Sequence, residues 1–221
     1  GATLANVDEA SIRDLPGVVK VVVRKNFVGV VAERPWQAMQ AASRLRVNWT
    51  AGPALPPSQD LHARLRAQTP TRDTYLVNAG DVDAALRSAA SVVRATYTYP
   101  YQMHASMGTA CAVADVQNDR ATIWAASQAV YPLRSSTALL LGFPAENVHV
   151  IFRQGPGCYG INGADTVAYD AALMSQAVAR PVRVQLSRRD EMAWENYGLA
   201  FVIDQRAGLN RSGSVVAWDY E

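Results

Sequence analysis

Two β-branched runs, residues 18–23 and 27–32, are separated only by Arg24-Lys25-Asn26, and such a pair predicts a hairpin. Pro35 suits a first helical turn, and Trp36, Met39, Ala42 and Leu45 then recur at helical spacing before a strand-like stretch at 46–49. Asp81 is placed to cap a helix whose apolar positions are Val82, Ala85, Leu86 and Ala89. Val93, Ala95, Tyr97 and Tyr99 alternate with Arg94, Thr96 and Thr98, as in a strand with one wet face. The apolar runs 111–116 and 121–126 flank Gln117-Asn118-Asp119-Arg120, a second hairpin signal.

Further on, residues 132–141 read as a short helix with proline at its start and Gly142 just past its end. A strand at 148–152 runs into a glycine-rich loop, residues 154–163, and Asp165 is the expected cap of the next helix. That helix carries Val167, Ala171, Met174 and Val178 along one side and is closed by Pro181. Residues 182–187 and 200–206 read as strands, and 208–213 as a turn into a final strand. Helices and strands alternate without a regular βαβ period, so the expected class is α+β, with mixed sheets and packed helices.

Between residues 50 and 70 the composition shifts to Gly52, Pro53, Pro56, Pro57 and Ser58. This divides the chain into a small α+β unit at 1–50, a Pro/Gly-rich linker at 51–74 and a larger domain at 75–221. The first residue is Gly1, and the last residues, Ser214-Val-Val-Ala-Trp-Asp-Tyr-Glu221, are strand-like with no closing turn. Both ends are therefore expected to be cuts in a longer polypeptide.

Charge narrows the partners. With 21 Lys+Arg against 19 Asp+Glu, and the basic residues scattered, a nucleic-acid partner is not indicated. The two cysteines, Cys111 and Cys158, lack CxxC partners and cannot alone hold an iron–sulfur cluster or a structural zinc. His104 stands without a second histidine or paired carboxylate at metal spacing, so it reads as a hydrogen-bonded core or loop residue, and no metal ligand is assigned. Tyr97, Tyr99 and Tyr101 read as a packed strand face.

The glycine-rich loop sits between a strand and a helix N-terminus, where backbone N–H groups favour an anionic group such as phosphate. It matches neither the P-loop nor the dinucleotide fingerprint.

Four segments occur in a telling order: Pro100-Tyr-Gln-Met-His-Ala-Ser-Met107, Trp124-Ala-Ala-Ser-Gln-Ala-Val130, Gly157-Cys-Tyr-Gly160 and Pro181-Val-Arg-Val-Gln-Leu-Ser-Arg188. In that order the chain resembles the molybdopterin-binding large subunit of molybdenum hydroxylases, the xanthine dehydrogenase and aldehyde oxidase family. It is most similar to the bacterial branch with isoquinoline oxidoreductase and nicotinate dehydrogenase. The resemblance implies that residues 1–50 end a hammerhead-like unit and that 75–221 begin the molybdenum-cofactor-binding domain. It places Gln128 near the metal's oxo ligand, and Gly157, Cys158, Tyr159 and Gly160 beside the metal centre and the pterin. In the family that loop usually reads Gly-Gly-Phe-Gly, so Cys158 and Tyr159 are departures; so is Met107-Gly108-Thr109, where many relatives carry Met-Glu-Pro.

The family's catalytic glutamate matches no residue here, so no catalytic residue is assigned, and this chain alone is expected to be inactive. The resemblance further implies a longer enzyme that uses water to hydroxylate an N-heteroaromatic or aldehyde carbon. Its cofactor is expected to be molybdopterin cytosine dinucleotide, its partners a small [2Fe–2S] subunit and a c-type cytochrome, and its compartment the cytoplasm, the periplasm or the inner membrane. Two alternatives stand beside this. Cys158 on a strand-to-helix turn suggests an α/β-hydrolase nucleophile with His104 as base, yet that elbow wants glycine on both sides, and Pro156 occupies one of the two places. The other alternative is a non-catalytic cofactor-binding or interaction module.

Overall fold

The computed structural model describes residues 1–54, 57–160 and 164–221, without the side chains of residues 164 and 165. The expected cap at Asp165, the last three residues of the glycine-rich loop, and Pro56 of the connection lie outside the described residues. Contacts group the chain into two compact units, Gly1–Ala54 with Met103–Asn196, and Leu55–Gln102 with Tyr197–Glu221. The mixed α+β class holds.

In the first unit, β1 (Leu4–Asp8) pairs with β4 (Arg46–Trp49), and β2 (Val18–Arg24) with β3 (Phe27–Ala32), around helix α1 (Pro35–Arg44). The hairpin follows the sequence pattern; the buried side of α1 does not. Trp36 and Met39 are 64% and 56% exposed, while Ala41 is fully buried. A Cβ on Gly17 would lie 2.2 Å from the Gln37 amide oxygen, so α1 closely approaches the segment just before β2 on the side that carries Gln37.

The main core lies between a four-stranded sheet and two helices. The strand order is β8-β7-β6-β9, with β6 (Cys111–Gln117), β7 (Arg120–Ala125), β8 (Val148–Phe152) and β9 (Val182–Gln185). Its register sets Ala112 beside Ala125, Ala114 beside Ile123, and Val116 beside Ala121, so one face is a row of small buried side chains. Against that row lie Val167, Ala168, Ala171 and Ala172 of α5 (Ala164–Val178), with Leu133, Ala138 and Leu141 of α4 (Val130–Leu141). Alanine on both surfaces lets helix and sheet approach closely. On its other side α5 meets the first hairpin, where Met174 packs with Val22 and Val182. It is therefore buried well beyond a single apolar stripe.

Two boundaries differ from the pattern. Helix α4 starts two residues before Pro132, which sits inside its first turn, where the missing N–H has no intrahelical partner to lose. The strand expected at 182–187 stops at Gln185, because Ser187 opens a helix, α6 (Arg188–Trp194), through a reciprocal capping box with Asp190.

The second unit is a three-stranded sheet, β11-β10-β5, of β5 (Ser91–Tyr99), β10 (Phe201–Leu209) and β11 (Val215–Tyr220), with helices α2 (Leu61–Ala67) and α3 (Val82–Ser88). Asp81 caps α3 as expected, accepting from the Ala84 N–H. Gly208 continues β10 and is not a turn residue; a Cβ there would come within 3.4 Å of Ala89, Leu86 and Ala217, so the turn starts only at Asn210. Helix α2 falls within the Pro/Gly-rich stretch, and its Arg66 grips Asp204 with two 2.7 Å hydrogen bonds. Those bonds, with that from Thr96, pull the Asp204 carboxyl down to about 2. The tyrosine series departs from expectation. Tyr97, Tyr99 and Tyr101 are exposed, although Tyr99 pairs across the strands with Phe201. Helix α3 lies on the opposite face of the sheet, over Gly208 and Ala217.

Asp170 of α5 yields a stability prediction. Burial pushes its carboxyl up to about 6. Because the folded value is raised, its contribution to stability is fully present below the ordinary carboxylate value and is lost as pH rises through about 6. Asp170→Asn should remove that pH dependence and stabilise the fold at neutral pH by about 1–2 kcal/mol, after allowing for partial solvent screening. Urea unfolding at pH 4 and pH 7.5, compared with the parent chain, checks this; identical pH dependence in the two proteins would contradict it.

No helix among the described residues is long and apolar enough to cross a membrane.

Candidate functional site

Strands β7 and β8 run parallel, with Ala125 beside Phe152, and the Arg153 N–H donates to the Ala125 carbonyl at 2.9 Å. The segments leaving their C-terminal ends, one carrying Gln128 and the other the glycine-rich loop, are therefore neighbours. The C-terminal edge of adjacent parallel strands is where ligands of open α/β sheets tend to lie.

At this edge Ser127 is buried, and its Oγ accepts from the Ala129 N–H at 3.0 Å. That turn directs Gln128 outward. Its Nε2 donates to the Gly160 carbonyl at 3.0 Å and reaches Cys158 Sγ at 3.6 Å. An amide nitrogen carries two hydrogens. One is well used on Gly160; the other meets only a long, weak sulfur contact, so a better acceptor can claim it.

The loop lies close because its glycines allow it. Gly157 and Gly160 have φ of +139° and +125°, a region that side chains rarely adopt. A Cβ on Gly155 would sit 2.7 Å from that of Ala126, and one on Gly160 would strike the His104 ring at 2.7 Å. Tyr159 takes the left-handed conformation at φ 47° and is exposed. Cys158 is a free, half-buried thiol. Gly108 lies against Pro156, since a Cβ there would be 2.6 Å from the Pro156 ring. The proline ring fills the space a side chain at 108 would need.

Behind the loop, Nδ1 of His104 lies 2.9 Å from the Asn196 carbonyl, which can only accept, so Nδ1 carries the proton. Glu195 Oε1 accepts from the His104 N–H at 2.5 Å and the Ala105 N–H at 3.3 Å. Glu191 Oε2 accepts from the Ala110 N–H at 2.5 Å. Both carboxylates are buried, on or just past α6, four residues apart on one face.

Gln128, Cys158 and Gly160 are therefore in contact, with Gly157 and Tyr159 on the same loop. The hydrolase arrangement is not formed by these contacts. His104 turns its proton to Asn196, Cys158 Sγ faces the Gln128 amide, and the left-handed residue is Tyr159. Among the described residues no group of three or more His, Cys, Asp or Glu is placed to hold a metal ion. Sequence reasoning missed Glu191 and Glu195. Their signal was the Ser187-x-x-Asp190 capping box, which starts a helix just before the pair.

Against known proteins, residues 65–221 match the family model described as the molybdopterin cofactor-binding domain. A nicotinate dehydrogenase subunit of Pseudomonas putida is 43% identical over 222 residues, covering 100% of this chain and 19% of that protein. The aldehyde oxidoreductase molybdenum-binding subunit PaoC of Escherichia coli K12 is 33% identical, covering 87% of the chain and 26% of the relative. The chain thus spans well under a third of these relatives. Among solved structures, aldehyde oxidoreductase from Desulfovibrio gigas superposes with TM-score 0.81 at 15% identity, over 99% of this chain and 29% of that one. Quinoline 2-oxidoreductase from Pseudomonas putida 86 gives 0.73 at 20%, over 99% and 34%. At such identities these two show a shared fold.

Proposed function

The chain belongs to the molybdopterin cofactor-binding domain family, and from that premise we propose that Gln128, Gly157, Cys158, Tyr159 and Gly160 form one wall of a molybdenum-cofactor site in a longer oxidoreductase. The observation that carries this is the Gln128–Gly160 hydrogen bond, which joins the side chain and the loop at the open end of two parallel strands. The residues fit the group. Glycines at 155, 157 and 160 leave backbone where a Cβ would not fit or would be strained, and the Gln128 amide offers a donor at the same edge.

When bound, the cofactor supplies two-electron redox chemistry. The chain's own residues bind and orient it. The Gln128 amide, held in orientation by the Gly160 carbonyl, donates its second N–H toward an oxygen of the bound group. Cys158 lines the wall as a contact residue, and the backbone of 157–160 shapes it. The buried Glu195 carboxylate fixes the segment at His104 and Ala105, and the His104 ring backs Gly160.

The reading extends to a water-using hydroxylation of an N-heteroaromatic or aldehyde carbon. It extends also to molybdopterin cytosine dinucleotide as the cofactor, and to electron exit through a [2Fe–2S] subunit and then a c-type cytochrome. What supports this is the likeness to subunits of a nicotinate dehydrogenase and of an aldehyde oxidoreductase. The test is turnover of N-heteroaromatic acids and aromatic aldehydes by the full-length protein with its partner subunits in 18O-labelled water. Label in the product is expected; product oxygen taken instead from dioxygen would overturn the reading.

Cys158 gives a separate check in the same protein. Cys158→Ala should retain most activity, whereas Cys158→Trp should reduce molybdenum content, measured by elemental analysis, by crowding the wall. Inactivation by the alanine variant at full molybdenum content would contradict a contact role.

A further inference from the structure

Helix α6 turns one side toward a segment some eighty to ninety residues earlier in the chain. Arg188, Glu191 and Glu195, spaced by three and then four residues, share that side on the helix or just past its end. The Arg188 guanidinium donates to the Ser106 carbonyl, Glu191 Oε2 accepts from the Ala110 N–H, and Glu195 Oε1 accepts from the His104 and Ala105 N–H groups. Four backbone groups between residues 104 and 110 are thus held by three side chains, two of them buried carboxylates. Ala105 shows the hold. It stands at φ 52°, a left-handed conformation that a residue other than glycine keeps only where its surroundings impose it.

The held segment meets the 157–160 loop through His104. Its ring is anchored by Nδ1–H on the Asn196 carbonyl at 2.9 Å, and it lies so close that a Cβ on Gly160 would strike it at 2.7 Å. The Gly160 carbonyl in turn takes the Gln128 amide at 3.0 Å. We infer that Glu195 is a positioning residue for the Gln128 donor. Its carboxylate fixes the backbone that carries the His104 ring, the ring sets the place of Gly160, and the Gly160 carbonyl aims the amide. An ionised acceptor suits the task, since hydrogen bonds to a charged group are stronger than neutral ones. Without it two backbone N–H groups lose their acceptor, and Ala105 is free to leave the left-handed region and carry the ring away from Gly160. The inference rests on the cofactor reading, because an aimed Gln128 matters only to a group bound beside it.

The test is a double-mutant cycle between Glu195→Ala and Gln128→Ala in the full-length protein with its partner subunits, read beside the alkylation rate of Cys158 in the unloaded protein. Cys158 Sγ sits 3.6 Å from Gln128 Nε2, so its reaction with iodoacetamide, followed by peptide mass mapping, reports on the wall without turnover. Glu195→Ala should lower kcat per bound molybdenum about tenfold, leave KM within about twofold, and speed alkylation of Cys158 about tenfold. In the Gln128→Ala background the same change should lower kcat by less than about twofold, because residues acting through one chain of contacts are not additive. Val22→Ala, a core truncation in β2, controls for lost stability and should leave both readouts as in the parent; the same losses there would overturn the inference. Should Glu195→Ala fail to fold, His104→Ala removes the ring that meets Gly160 and must give the same losses and the same non-additivity. Equal losses of kcat in both backgrounds, or an unchanged Cys158 rate, would overturn the inference and leave the cofactor reading in place. Full activity of Gln128→Ala would overturn that reading and the inference with it.

Discussion

Replacing Gln128 with alanine in the full-length protein should lower kcat/KM by a factor on the order of a hundred or more, because removing one preorganised donor to a developing negative charge costs roughly 3 kcal/mol. The expectation rests on how the amide is held. Its hydrogen bond to the Gly160 carbonyl fixes the plane of the side chain, so the remaining N–H needs no reordering to meet an oxygen of the bound group. Loss of the Gly160 bond alone would cost about 1 kcal/mol of local stability. A polar side chain merely ending a strand would change stability by less than about 0.5 kcal/mol and rate hardly at all. Molybdenum content separates these effects, since a donor role predicts slow turnover at normal loading. Gln128→Glu, equal in length but without the donor, should be as slow; full activity in either variant would remove Gln128 from the site.

Ile123→Ala should destabilise the chain by about 2–5 kcal/mol, the largest stability change expected for any single truncation in this core. Ile123 is fully buried on β7, the strand that leads to Gln128, with Ala114 beside it on β6 and Val150 beside it on β8. Its neighbours on the packed face are mostly alanines, which cannot swing into a vacated volume, so the cavity would persist. Denaturant unfolding monitored by circular dichroism measures this. A change below about 1 kcal/mol would show that the sheet and α5 are not packed as described.

Local pattern carried the elements whose signals are local. The hairpins at 18–32 and 111–125, the Asp81 cap and the Gly142 helix end are each specified by residues within a few positions of one another. Errors arose where a distant neighbour decides. Trp36 and Met39 have the spacing of a buried stripe, yet they are exposed and Ala41 is buried, with α1 held close to the chain at Gly17 through Gln37. Gly208 reads as a turn but lies in a strand because helix α3 needs its missing side chain. Ser187 reads as the end of a strand until Asp190 is seen to answer it across a capping box.

The candidate site divides in the same way. The family resemblance pointed to Gln128 and the 157–160 loop, but only the parallel pairing of β7 and β8 explains why residues thirty positions apart touch. Glu191 and Glu195 were illegible, since acids on a short helix normally face water, and their burial depends on backbone N–H groups some eighty to ninety residues earlier.

Whether this wall holds the cofactor is decided by an experimental structure of the full-length protein loaded with molybdenum and pterin. A cofactor atom is expected within hydrogen-bonding reach, about 3 Å, of Gln128 Nε2, with the backbone of residues 157–160 in contact with the same group. A loaded structure with the cofactor elsewhere, and the Gln128 amide still turned only to Gly160 and Cys158, would refute the assignment.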